Sequence, residues 1–184
     1  MDYPADFGQI ATPLHLNTFS GENMSGMSAR KQLGSFSGTL ASTAWPSGNL
    51  AMYLPFVIPF NYVVQRAFWI NGASTANNMD IGIYSSDGTK LWASGSTAQS
   101  GANVVQYVSV SPEVLLRPGE YFIALAASGT STLFMANAFT AIAGRMIGMY
   151  QQASAFALPA TATFAAWAQT VYPVCGLTRT SSGF

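Results

Sequence analysis

The sequence predicts an all-β protein: an antiparallel, jelly-roll-like β-sandwich preceded by an extended, irregular N-terminal arm. Three observations carry this. Turn residues recur at intervals of roughly 8–12 residues through the middle of the chain, the spacing of sandwiches and barrels. The runs between them alternate apolar and polar with period two. The connections are too short to hold helices, which excludes a parallel βαβ sheet between residues 50 and 137. With 184 residues and 49% apolar content the chain can build one core, and no linker divides it.

Residues 1–49 scatter single apolar residues (Phe7, Leu14, Leu16, Phe19, Leu33, Phe36) among Gly, Ser, Thr, Asn and Pro, a pattern of arm or long loops. Such an arm is ordered only by lying on its own domain or on a neighbouring subunit. The sandwich domain is assigned to residues 50–184. Residues 50–64 are apolar, aromatic and β-branched. Pro55 and Pro59 interrupt them, predicting two short edge-type strands or one bent strand. Residues 66–70 form the next strand, ended by the turn pair Asn71-Gly72.

Met79, Ile81 and Ile83 then alternate with Asp80, Gly82 and Tyr84, giving a strand with one apolar and one polar face. Asp87-Gly88 predicts a hairpin turn of the primed type, with residues 89–93 returning. A Gly/Ser loop over 94–102 precedes a strand at 103–110. Pro118-Gly119 sets the turn before 120–127, and 132–136 is a further strand. The segment 138–170 is a long loop or carries a short helical insertion; Gly144 and Gly148 weaken a helix at 141–150 by about 1 kcal/mol each relative to Ala. Residues 160–168 fit helix or strand equally. Residues 171–177 close a sheet.

Charge narrows the partners. Seven Lys+Arg balance seven Asp+Glu, and charged residues are only 8% of the chain. No field exists to attract a polyanion or an anionic membrane, so neither nucleic acid nor membrane is an expected partner. Residues 1–6 are acidic and contain proline, unlike the basic start of a signal peptide, and no apolar run is long enough for a bilayer. Synthesis in a cytoplasm is expected. Small uncharged side chains lose little rotamer entropy when covered, and interface cores are depleted in charge. Much of this surface is therefore expected to be buried in a permanent assembly.

Catalytic groups are scarce, and no enzyme and no cofactor are expected. The single histidine, His15, sits between two leucines in the arm, and the single cysteine, Cys175, lies in the closing strand as a buried, inert thiol. Gly34-Ser35-Phe36-Ser37-Gly38 places phenylalanine where a nucleophile elbow needs serine. No phosphate loop, dinucleotide fingerprint or zinc ligand set occurs. Among the carboxylates, Asp87 is used by its turn, and Glu113 and Glu120 flank loops. Asp80 shares a strand face with Tyr84, either as the polar outer face of a sandwich or as carboxylate and aromatic platform for a sugar. Trp92, on the returning hairpin strand, is the tryptophan expected to be most exposed. Asp80, Tyr84 and Trp92 are thus the candidate glycan contacts, and no metal site is expected.

The strands and turns of the centre also carry a resemblance. Tyr53-Leu54-Pro55-Phe56, Arg66-Ala67-Phe68-Trp69-Ile70-Asn71-Gly72, Asp80-Ile81-Gly82-Ile83-Tyr84, Asp87-Gly88-Thr89, Ser94-Gly95-Ser96-Thr97-Ala98-Gln99-Ser100-Gly101 and Leu116-Arg117-Pro118-Gly119-Glu120-Tyr121-Phe122-Ile123-Ala124-Leu125 follow one another in the chain. In this order they resemble a β-sandwich module of tailed-bacteriophage structural proteins, over roughly residues 50–137. The resemblance implies a virion component: a capsid decoration or cement protein, a fibre, or part of a tail tip. It further implies a homotrimer bound to other virion proteins, and it transfers no functional residue. The alternative expectation is a host-attachment module that binds a host-surface glycan.

Overall fold

The computed structural model describes residues 24–25, 40–138 and 140–179, so most of the expected arm, with His15, lies outside the described residues. Two antiparallel sheets face each other. The first has the order β1 (Met24–Ser25), β14 (Cys175–Thr178), β4 (Tyr62–Ile70) and β8 (Val105–Leu116). The second has the order β12 (Ala165–Ala166), β11 (Tyr150–Gln152), β3 (Ala51–Ile58), β9 (Gly119–Ala127), β5 (Asn78–Ser85) and β6 (Lys90–Ala93), with β7 (Thr97–Ala98) pairing the start of β5. A smaller sheet of β13 (Val171–Pro173), β10 (Leu133–Ala138) and β2 (Ala41–Ala44) closes one end, bridged to the first sheet through Asn71 and Phe134. The expected antiparallel sandwich is what forms.

The period-two pattern explains the core. Met52, Leu54, Phe56 and Ile58 of β3, Met79, Ile81 and Ile83 of β5, and Ile123 and Leu125 of β9 point inward from the second sheet. They meet Tyr62, Val64, Ala67 and Trp69 of β4 and Cys175 and Leu177 of β14. The step from Val64 to Ala67 changes parity because β4 and β8 slip register there: Val110, Ser111, Pro112 and Glu113 of β8 lie opposite Gln65 alone. The excursion accommodates Pro112 within a strand, as bulges do, and Gln65 Nε2 donates to Glu113 Oε1 across it at 2.9 Å.

Several expectations need correction. Residues 40–49 belong to the sandwich and not to the arm: β2 pairs with β10, and Trp45 is buried edge-on against Phe134 at 4.8 Å. β3 is one strand inside its sheet despite Pro55. β11 pairs only Ala51 to Tyr53, so among the described residues β3 has no ladder partner on that side at Pro55, where a missing donor is tolerated. Asn71-Gly72 is not a hairpin turn, because Asn71 is buried and bridged to Phe134. Asp87-Gly88 is not a primed turn. Only Gly88 takes a positive φ (+87°), and the Ser85 N–H donates to Thr89 O, which marks a three-residue loop ending in a glycine bulge.

The segment left open at 138–170 holds a short helix, the strand β11 and mainly irregular chain. Thr140 caps a short helix, α1 (Ala141–Met146), its Oγ1 accepting from Ala143 N at 3.1 Å. Gly144 lies inside α1 because the Trp167 ring packs on it; a Cβ there would sit 2.2 Å from Trp167 Cδ1. Residues 160–168 are mainly irregular, with only β12 in the ladder. The closing strand at 171–177 is two strands, β13 and β14, in different sheets.

Candidate functional site

β11 and β12 pair with each other (Tyr150 opposite Ala166, Gln151 opposite Ala165), closing the ends of an Ω-type loop over residues 153–164. This strap lies across the outer face of the second sheet. Its seat is made of small side chains: Ala51, Ala124 and Ala126, together with Gly82, where a Cβ would come within 2.9 Å of Leu158 Cδ1. Ala155 and Leu158 fill the seat. Phe164 packs against Phe122 at 4.8 Å, Tyr150 at 4.9 Å and Tyr53 at 5.2 Å, the last edge-on. The centre of the sheet, β3, β5 and most of β9, is therefore buried on both faces, and its outer residues there are apolar or small for that reason.

The polar residues of the hairpin fasten this strap. Asp80 Oδ2 accepts from Leu158 N at 2.9 Å, and Oδ1 accepts from Ser94 Oγ at 3.2 Å. Lys90 Nζ donates to Leu158 O at 2.8 Å, and Tyr84 Oη donates to Pro159 O at 2.6 Å. Backbone bonds extend the row: Lys90 N to Ala160 O at 2.9 Å and Ala162 N to Gly88 O at 2.8 Å. Tyr53 Oη and Thr163 N both donate to Gln152 Oε1. Each residue of the strap from 158 to 163 is thus held, directly or through its neighbour, by a hydrogen bond to the sheet or its hairpin.

Electrostatics follow burial. Asp80 is only 1% exposed, and desolvation pushes its pKa up against the lowering effect of its hydrogen bonds and of Lys90. Burial also pushes Tyr53 up to about 12 and raises Tyr84, so both phenols remain donors. Asp87 is displaced the other way: Ser85 Oγ and Thr89 N donate to its carboxylate and hold its pKa down.

Asp80 and Tyr84 do lie together on one strand face, as the alternation predicts, but the strap closes that face to a sugar and to water alike. The expectation of glycan contact there is corrected, and so is that of a solvated polar face. Trp92 is the most exposed of the four tryptophans, as expected, but it is only partly exposed. It pairs with Ile83 on the inner face, packs against the core, and leaves its neighbour Leu91 exposed. Cys175 is buried, and desolvation pushes its thiol up to about 12. Among the described residues no three His, Cys, Asp or Glu side chains converge on a metal position, and no helix is long and apolar enough to cross a membrane.

The exposed chemistry lies elsewhere. Ile142 is 70% exposed and Met146 81%, one turn apart on α1. The opposite face of α1 is fixed to the body by Gly144, buried against Trp167, and the exposed Arg145 donates from Nε to Trp167 O at 2.8 Å. Ala165 and Ala166 of the neighbouring edge strand β12 are also exposed. From Tyr121 to Thr178 the sole charged residue is Arg145. Sequence reasoning missed this surface because α1 was one of two open readings; an Ile and a Met four apart beside a glycine were the available signal. No family model matches the chain, and no curated protein is significantly similar to it.

Proposed function

We propose that this chain is a structural subunit of a bacteriophage particle, contacting copies of itself and other coat or tail proteins as a decoration, cement or fibre-type component. The observation that carries this reading is the charge-poor, partly apolar surface of α1 and β12. A stretch whose only ion, Arg145, is itself exposed while its Nε is tied to Trp167 O also exposes Ile142 and Met146 beside small alanines. Apolar, charge-poor surface of this kind fits a lasting subunit contact and ill suits a free monomer. The central strand-and-turn resemblance to tailed-phage proteins supplies the particle. The glycan-attachment alternative loses its support with the burial of Asp80 and Tyr84. No non-structural activity is needed, since the carboxylates in hand fasten turns and straps.

Mass spectrometry of phage particles purified by density banding tests this reading, with antibody labelling of the same particles to locate the chain. The expected result is a stoichiometric component that stays with the particle through banding. Absence of the chain from mature particles of a phage that encodes it would overturn the assignment.

A further inference from the structure

Asn71-Gly72 is the sole Asn-Gly junction in the sequence, and its asparagine, fully buried, is the hub of a hydrogen-bond network. Its Oδ1 accepts from Trp69 Nε1 at 2.7 Å and Gln99 Nε2 at 3.0 Å. Its Nδ2 donates to Ser100 O at 2.8 Å, Gly101 O at 3.0 Å and Gln106 Oε1 at 2.9 Å. The main chain is pinned as well, with Asn71 N bonded to Val104 O at 2.9 Å and Gly72 O accepting from Asn103 N at 2.8 Å. Gln106 continues the network, accepting from Ser100 N and donating to Ala98 O, both at 2.8 Å. The Gly/Ser loop between β7 and β8 is therefore held to the end of β4 by these main-chain bonds and by the one carboxamide at their centre.

An asparagine followed by glycine is the most readily cyclised junction in a polypeptide, because no side chain hinders the following nitrogen. We infer that Asn71-Gly72 is a self-modification site that acts as a one-way latch on the loop over residues 97–106. In the closed molecule the carboxamide is locked and the reaction is blocked. When the loop opens, the deprotonated Gly72 nitrogen attacks Asn71 Cγ. The new C–N bond closes a succinimide, the Cγ–Nδ2 bond breaks, and ammonia leaves. Water then opens the ring to aspartate or isoaspartate.

The product cannot re-form the hub. A carboxylate would face Ser100 O, Gly101 O and Gln106 Oε1, three acceptors that the amide had satisfied, and would do so as a buried, uncompensated charge. Isoaspartate additionally lengthens the main chain next to the Asn71–Phe134 bridge. Molecules that open are thereby marked and kept open, while closed molecules keep the amide.

Peptide mapping by mass spectrometry tests this on the full chain held in mildly alkaline buffer, native or in urea. Native conversion at Asn71 is expected to be at least about 100-fold slower than in urea, since reaction waits on an opening equilibrium. Chain converted in urea and returned to native buffer should lack amide protection across residues 97–106, while unconverted chain regains it. Gln106→Ala, which removes one acceptor from the hub, should speed native conversion. Equal native and urea rates would overturn the latch, as would full recovery of loop protection in converted chain or an unchanged native rate in Gln106→Ala.

Discussion

Asp80 and Asp87 lie on one hairpin and respond to acid in opposite senses. Burial raises the Asp80 pKa in the folded state, so its ionised form opposes folding at neutral pH, and that penalty fades as pH falls through the raised value. Asp87 gains from ionisation through its bonds to Ser85 and Thr89, and that gain is lost as pH falls through its lowered pKa. Thermal unfolding from about pH 7 to about pH 2 should therefore show wild type gaining on Asp80→Asn as pH falls towards about 4 and losing ground to Asp87→Asn below about 4. Parallel curves for all three proteins would contradict these assignments. Gly144 gives a steric prediction at the same scale. Its missing Cβ makes room for Trp167, so Gly144→Ala should destabilise by about 1–3 kcal/mol through overpacking, despite the better helix propensity of alanine. A rise in Tm would show that α1 does not bear on the indole as described.

The strap over residues 153–164 is an element without regular secondary structure, yet it buries one face of the largest sheet. Leu158 is its apolar anchor, and Leu158→Ala should cost about 2–5 kcal/mol, as large-to-small core changes do. Hydrogen exchange locates the effect. Amides of Leu158 and Ala162 should lose protection while those of Ile123 and Leu125 in the β9 ladder keep theirs. Uniform loss across both would mean that strap and sheet open as one unit. At this scale the sequence was legible where a period was present. β5, β6 and β9 stand close to where alternation and turn residues put them. It was misleading where a local signal had a tertiary use. Asn71-Gly72 has the composition of a turn and serves as a buried hub; Pro55 has the look of a strand break and sits where β3, among the described residues, has no ladder partner on one side. Asp80 has the spacing of an outer-face residue, but nothing in residues 153–164 announces that they return to cover it. The strap carries no periodicity, only small residues, Leu158, Pro159 and two phenylalanines, so its docking was invisible from local pattern.

At the scale of the whole molecule, composition said more than any motif. A chain with 8% charged residues has little means of remaining solvated alone, and the structure exposes Ile142, Met146, Ala165 and Ala166 on α1 and β12, where Arg145 is the one charged residue. The proposed role as a particle subunit rests on that surface together with the resemblance of the central strands, and the candidate sugar site dissolved because its residues hold the fold together. If the surface is a subunit contact, charge placed there should separate the subunits without unfolding them. Ile142 and Met146 are exposed, so lysine at both positions should leave the sandwich intact. The most direct measurement is the solution mass of the full-length chain by light scattering over a dilution series, for wild type and for Ile142→Lys with Met146→Lys. The account predicts a wild-type mass that is a multiple of the 19.4 kDa protomer, and a folded monomer for the double variant. A wild-type protein that is monomeric at every concentration, and unaffected by the two lysines, would contradict it.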